Sequence, residues 1–320
     1  MTSQPGPDDR DLADAAAGPR RLPAGFGPRR LSPDDLDEAY AVYAADEVAD
    51  AGTLAIERED VEADWARSSF DLAEDAIGIA AADGRLVAAA EVTRHGTSAE
   101  GAVLPAVRGL GLGSWLLAWT ERRARALGSS TLGQTVPEGS SADALLTSHG
   151  YRIGHTAWVL ELPEGRAVPE RPLPDGHHLV TGGSAERERA AYDLIETAFG
   201  EWAGREPETY EDWRATTVDR PGSRPWQLRL VEDATGRAVG AAFTILDAQG
   251  CGYVHQVAVE RAHRGRGLAQ ALLADAFRRA RERGATRSEL STDSRTGALG
   301  LYEKVGMEVT QTWVHRSRVL

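Results

Sequence analysis

The sequence predicts an α/β protein of two domains, on three observations. The first is the run Tyr253 to Ala269, which reads as a strand, a glycine-rich turn and a helix start. The second is a recurrence of its glycine-rich part 156 residues earlier, at Arg108 to Gly113. The third is length: 320 residues suit two domains of ordinary size, each able to bury a core.

The first run ends its strand in Val257-Ala258-Val259, side chains suited to a pleated, buried surface. With period two, Tyr253, His255 and Val257 are expected on one face. The chain then turns through Arg264-Gly265-Arg266-Gly267 into Leu268-Ala269, where Leu, Ala and Phe begin to recur at helical spacing. The first N–H groups of a helix have no internal partner, and the helix dipole places partial positive charge there. Gly265 and Gly267 let backbone approach a ligand closely, and Arg264 and Arg266 add cationic donors. Together these predict a phosphate or pyrophosphate cradle. A Walker loop is absent, and Gln270 stands where a dinucleotide fingerprint needs its third glycine.

The segment resembles the acetyl-CoA pyrophosphate loop of the GNAT acetyltransferase superfamily: Gln or Arg, two free positions, Gly, one free position, then Gly or Ala. Arg264-Gly265-Arg266-Gly267-Leu268-Ala269 matches at every position, and so does Arg108-Gly109-Leu110-Gly111-Leu112-Gly113. The 156-residue offset holds without a gap from Val103 and Val259 through Leu116 and Leu272, Arg123 and Arg279, Gly128 and Gly284, and Gly150 and Gly306 to Thr156 and Thr312. A repeat of this length is a duplicated domain. Asp64-Trp65 and Asp212-Trp213 are further counterparts. The resemblance implies a tandem α+β GNAT fold, each half a mixed, mostly antiparallel sheet flanked by helices.

Composition bounds the rest. No apolar run reaches the roughly 18 residues of a membrane span. Residues 1–23, rich in Asp, Ala, Pro and Gly, lack a signal-peptide core and are expected to form a disordered tail. The single cysteine, Cys251, excludes an intramolecular disulfide and a cysteine-rich metal site, as a reducing cytoplasm would suit. A net charge of −13 argues against general nucleic-acid binding. His95, His149 and His155 have no metal-ligand spacing.

In chain order, the expected domains are 24–162 and 177–320. Residues 163–176, with prolines at 163, 169, 172 and 174, form a stiff linker. Ser32-Pro33-Asp34-Asp35 starts a helix to about Val48, and a second helix spans about Arg58 to Ser68. Ala76–Ala82 and Leu86–Thr93 form a hairpin around Asp83-Gly84. A strand over Ala99–Leu104 leads to the first cradle, and the following helix stops at Gly128. The second half repeats this order. It has a helix capped by Ser184, a second opened by Pro207 and a hairpin from Trp226 to Leu246. The cradle follows, then a strand over Arg287–Thr292, a helix over Thr296–Val305 and the last strand from Met307.

The resemblance implies chemistry for particular residues. Acetyl transfer to an amine needs a neutral amine, a donor for the oxyanion and help for the departing thiolate. Backbone of Val257 and Val259 would hold the pantetheine arm, with the Val257 N–H as oxyanion donor. His255 would relay the amine proton. It is placed like the second histidine of the His-x-His pair of arylalkylamine N-acetyltransferases, with Tyr253 replacing the first. Tyr302, in Ala298-Leu299-Gly300-Leu301-Tyr302, is similar to the family tyrosine that serves the CoA sulfur. Ser294 stands where many members carry a CoA-contacting asparagine. Thr97, Ala99 and Leu146 take the places of Tyr253, His255 and Tyr302 in the first half, which is therefore expected to bind CoA or to be structural.

The implied function is an acetyl-CoA-dependent N-acetyltransferase of the cytoplasm, without metal, acting on a small-molecule amine as monomer or homodimer. Trp202, Glu201, Tyr210, Trp226 and the tail near Trp313 are expected around the acceptor. Two other readings stay open. The layout is similar to mycothiol synthase, a tandem enzyme with an inert first half, whose acceptor is a cysteinyl-glucosaminyl-inositol. That family carries a His-Trp-Thr-Lys run where Ala242-Phe243-Thr244-Ile245 stands here. A non-catalytic acyl-CoA sensor is the third reading.

Overall fold

Ser32 and Asp35 form a capping box, in which the Ser32 N–H donates to Asp35 Oδ2 at 2.8 Å. The 3-10 turn Pro33–Asp35 then feeds helix α1 (Leu36–Ala51), which stops at Gly52. The computed structural model describes residues 21–202, 205 and 207–320. The expected tail therefore lies outside the described residues as far as residue 20, while Leu22 packs on a core cluster.

The chain forms two compact units. One comprises the described residues up to Gly154 together with Val314–Leu320; the other is His155–Trp313. The units therefore do not follow chain order, as the division at 162 and 177 does.

The first unit continues with α2 (Arg58–Trp65), α3 (Leu72–Asp75), α4 (Leu112–Ala126) and α5 (Ser141–Ser148). Its strands are β1 (Phe26–Arg29), β2 (Ala76–Ala81), β3 (Leu86–Thr93), β4 (Ser98–Val103) and β5 (Thr131–Pro137), side by side in that order. Its last position, beside β5, is filled by residues from the far end of the chain, where the Leu320 N–H donates to Ser130 O at 2.9 Å.

The second unit has helices α6 (Ala185–Phe199), α7 (Tyr210–Thr216), α8 (Leu268–Arg281) and α9 (Leu299–Lys304). Its strands are β7 (His178–Thr181), β8 (Leu228–Glu232), β9 (Ala238–Leu246), β10 (Cys251–Val259) and β11 (Arg287–Asp293). Strand β6 (Arg152–Glu161) pairs antiparallel with β11 through Ala157–Glu161, and β12 spans Glu308–Val319. Only the β10–β11 pair is parallel among the registers of this unit; β7, β8 and β9 continue antiparallel.

Each unit is thus a mixed, mostly antiparallel sheet flanked by helices, as expected. Strands β5 and β11 keep the 156-residue offset at both ends. Two helices start later than expected. Helix α7 begins at Tyr210 because the Thr209 side chain caps it by accepting from Asp212 N, which overrides Pro207. Helix α9 begins at Leu299 because Gly297 has φ +65°, outside the helical region.

The helix behind the second cradle, α8, buries Leu272, Leu273 and Phe277 at 1 % exposure or less. Each such side chain stabilises the fold by about 2 kcal/mol relative to an exposed one. Asp275 on α8 also holds buried Arg229 of β8 at 2.5 Å. The helix carrying the cradle is therefore fixed to the sheet by both packing and charge.

Candidate active site

Strand β10 has two different edges. Against β9 it is paired almost throughout, from Gly252 opposite Leu246 to Val259 opposite Gly240. Against β11 the parallel pairing stops at Val254 opposite Leu290. Beyond Val254 this pairing does not continue, and the edge of β10 over Val257 and Val259 is not paired with β11. The Glu260 N–H donates to Val239 O on β9 at 2.9 Å. Because N–H groups alternate along a strand, those of Val257 and Val259 point the other way, toward the edge that β11 leaves unpaired.

A bulge between Val254 and Gln256 changes which side chains share a face. Val254 packs with Leu273, Phe277 and Tyr302 on the α8 side. Val257 and Val259 pack on that same side with Leu268 and Leu272. Ala258 lies on the opposite side with Ile195 and Trp213. Gln256 is held there by Trp213 Nε1 at 2.9 Å, and His255 meets Phe243 there, edge to face at 6.5 Å. Tyr253 and His255 do share a face, their rings 6.4 Å apart. Val257 does not join them, contrary to the period-two expectation, because one extra residue in the strand inverts the alternation.

Past the end of β10, Gly265 and Gly267 have φ of +76° and +86°, a region that L side chains avoid, and Gly267 is the N-cap of α8. Arg264 is committed to bracing this loop. Its Nε donates to Val259 O at 3.0 Å, and its two terminal nitrogens grip Glu201 at 2.8 and 2.9 Å. Arg266 is exposed and forms no ion pair among the described residues. The Leu268 side chain is buried and that of Ala269 half-buried, both in the core behind the loop. Their side chains are therefore spent on packing, and only their backbone is left to the loop surface.

Tyr302 on α9 has a ring 7 % exposed, within the cluster of Val254, Leu273 and Phe277. Its hydroxyl forms no hydrogen bond among the described residues. Burial, with a smaller effect of neighbouring Tyr253, pushes its pKa up to about 12. The Tyr253 hydroxyl bonds Ser291 Oγ at 2.7 Å. Ser294 is engaged with β6: its N–H donates to Thr156 O at 2.8 Å, and its Oγ accepts from Thr156 N at 3.3 Å. Cys251 is 1 % exposed, and burial raises its thiol pKa, so it is a poor nucleophile.

The residues expected around the acceptor divide. Glu201 meets the loop through Arg264, and Trp202 stacks on Phe199 at 4.3 Å with the Arg295 guanidinium 6.0 Å from its ring. Tyr210 belongs to an aromatic cluster with Tyr192 and Trp213. Trp226 meets Arg283 at 4.5 Å, just past the C-terminal end of α8 and so away from the loop. Trp313 bonds Gln311 at 3.0 Å. Among the described residues, no group of His, Cys, Asp and Glu has the arrangement to hold a metal ion, and no helix is long and apolar enough to cross a membrane.

The first unit repeats the glycine turn without counterparts of His255 and Tyr302. Gly109 and Gly111 have φ of +78° and +89°. Arg108 Nε donates to Val103 O at 3.2 Å, and Asp46 and Asp50 take its terminal nitrogens at 2.7 and 2.6 Å. Exposed Leu110 replaces Arg266, while Leu112 is buried and Gly113 packs against Leu145. Buried Ala99 and Leu146 occupy the places of His255 and Tyr302.

This unit also carries a feature the sequence reading passed over, although Glu91 interrupts an apolar strand. Glu91 is 6 % exposed, lies opposite Glu100 across the β3–β4 ladder and accepts from Trp65 Nε1 at 3.2 Å. Burial, then Asp64 and Glu100, push its pKa up to about 8. A carboxyl raised in this way supports the fold only while protonated. Its contribution is complete below the ordinary glutamate value of 4.5 and is lost as pH rises through about 8. Glu91→Gln keeps an acceptor for Trp65 and removes the charge. Its Tm is expected above wild type at pH 8.5, with the gap closing toward pH 5. An equal gap at both pH values in calorimetry would contradict this assignment.

Comparison with known proteins agrees with the geometry. A model of the Acetyltransferase (GNAT) family matches residues 38–151 and again 189–307. A mycothiol acetyltransferase of Salinispora tropica is 32 % identical over 222 residues, covering 66 % of this chain and 69 % of that one. The crystal structure of a GCN5-related N-acetyltransferase from Sphaerobacter thermophilus superposes with a TM-score of 0.72 at 32 % identity, covering 93 % of this chain and 96 % of that one. A tandem GNAT protein from the clavulanic acid biosynthesis pathway has the same fold, with a TM-score of 0.69 at 19 % identity over 92 % of this chain and 97 % of that one. With one family model matched in each half, the chain belongs to the GNAT acetyltransferases, acyl-CoA-dependent N-acetyltransferases, as a tandem of two such domains distantly related to mycothiol acetyltransferase.

Proposed function

We propose that the second unit transfers an acetyl group from acetyl-CoA to the primary amine of a small molecule, by direct attack, and that the first unit does not catalyse. The observation that carries this reading is the end of the β10–β11 pairing at Val254, with the Gly265–Gly267 loop past the end of β10. The amine nitrogen attacks the thioester carbonyl, the carbonyl oxygen takes up negative charge, and the C–S bond breaks with its electron pair on sulfur. The Val257 N–H serves the oxyanion. His255, exposed beside Tyr253, relays the proton lost by the amine to solvent.

The Tyr302 hydroxyl, at about 12, lies well above the roughly 8.5 of an ordinary thiol. It therefore keeps its proton at neutral pH and stabilises the departing thiolate as a hydrogen-bond donor rather than by full transfer. In the first unit, buried Ala99 and Leu146 offer neither group. The proposed setting is the cytoplasm, with a small amine as the partner and no metal.

A mycothiol-type acceptor is the second reading, favoured by the relative from Salinispora tropica. Against it, Ala242, Phe243 and Thr244 of β9 are buried and offer no exposed polar group where that family has its His-Trp-Thr-Lys run.

The test is thiol release from acetyl-CoA across a panel of small amines that includes a cysteinyl-glucosaminyl-inositol. Turnover with simple amines supports the first reading, and turnover with the cysteinyl acceptor alone supports the second. CoA binding without turnover on any amine overturns both in favour of a sensor.

A further inference from the structure

The segment joining the repeats lies on the cradle of the second unit. Val168 is 4 % exposed, in the same cluster as Tyr302 and Phe277. The Pro169 carbonyl accepts from Gln270 Nε2, in the first turn of α8, at 2.7 Å. Leu173 packs against the cluster of Val259, Leu268 and Leu272. Between these anchors, Arg171 lays its stem on Gly267. A Cβ built there would fall 2.5 Å from Arg171 Cδ and 2.6 Å from its Nε. The bare Cα of Gly267 thus lets this arginine lie directly on the loop.

Arg171 is exposed and, like Arg266, forms no ion pair among the described residues. In a chain with 49 acidic residues against 36 Lys and Arg, two adjacent arginines without an ion pair at a helix N-terminus are conspicuous. The motif arginines Arg264 and Arg108 are both consumed by carboxylates. The first-unit cradle has no such cation: a Cβ at Gly111 would meet nothing within 4 Å, and Leu110 replaces Arg266.

Resting on the function proposed above, we infer that Arg171 is a phosphate-gripping residue of the acetyl-CoA site, supplied by a segment of the second unit that precedes the family-matched stretch 189–307. It replaces the charge that Arg264 spends on Glu201. The tether at Pro169 and Leu173 places the guanidinium in advance, so little ordering entropy is lost on binding.

Arg171→Ala changes an exposed side chain and leaves the anchors intact. Its KM for acetyl-CoA, and its Kd for CoA by calorimetry, are expected to rise roughly tenfold with kcat little changed, the scale of one charge-assisted contact. KM for S-acetyl-pantetheine, which carries no phosphate, should not move. Arg171→Lys should recover part of the loss. Comparing CoA with 3′-dephospho-CoA identifies the phosphate: an equal loss with both assigns the pyrophosphate, and a loss only with CoA assigns the 3′-phosphate.

Unchanged binding in Arg171→Ala overturns the inference while the acetyl-CoA reading stands. Tighter binding also overturns it and makes the segment a plug. If wild-type protein fails to bind CoA, both fall.

Discussion

Gly267→Asp is expected to abolish acetyl-CoA binding by the second unit while leaving it folded. Three effects act together. At φ +86° an L side chain is strained, at a cost of about 1–2 kcal/mol. A Cβ there meets Arg171. The new carboxylate also occupies the anion position itself, where it satisfies Arg171 and Arg266 and repels phosphate. A loss of roughly 100-fold or more in CoA affinity follows, about 3 kcal/mol. Titration calorimetry with a parallel melting curve is the measurement. An unchanged Kd in a folded variant would remove the loop from the site. Calorimetry of the same variant also isolates the first unit: any CoA site that persists belongs to the Arg108–Gly113 cradle. Residual turnover that keeps the wild-type KM for acetyl-CoA would show that unit to be catalytic after all.

Tyr302→Phe keeps the buried ring among Val254, Leu273 and Phe277 and removes only the hydroxyl. Because that hydroxyl forms no hydrogen bond among the described residues, its deletion leaves no partner stranded, and stability should hardly change. The kinetic effect should be large. A donor to the departing sulfur acts only in the transition state, so kcat is expected to fall by on the order of 100-fold. KM for acetyl-CoA should move little, since the loop contacts remain. Single-turnover measurement ensures that chemistry, not product release, is read. A wild-type single-turnover rate would return Tyr302 to a packing role.

Local features of the chain were legible without any structure. Gly265 and Gly267 announced backbone that only glycine adopts readily, and the same signal 156 residues earlier announced the duplication. Ser32 and Ser184 marked their helix starts because a cap is a contact of three residues or fewer along the chain. The alternating strands and amphipathic helices followed from periodicity, and with them the order of elements. Most elements therefore came from short-range stereochemistry, the short strand Phe26–Arg29 and the one-turn helix Leu72–Asp75 excepted, while the chemistry of the motif came from its resemblance to the family.

What only the tertiary structure decided concerns contacts between residues far apart in the chain. The bulge at His255 arises from how β10 pairs with β9, and no composition of seven residues reveals that Val257 turns to the α8 side. Arg264 read as a phosphate donor, yet Glu201, 63 residues away, consumes it. Arg171 read as linker, yet it lies on Gly267. The acids around Glu91 come from separate elements, and their pKa values rise only once folding removes water and brings them together. The last position beside β5 is filled from the far end of the chain, which chain order hides. Backbone preference and periodicity are written residue by residue, so the sequence by itself carried most elements and the glycine motif through which the fold was recognised. Charge pairing and strand register depend on which distant groups become neighbours, and only the packed chain determines that.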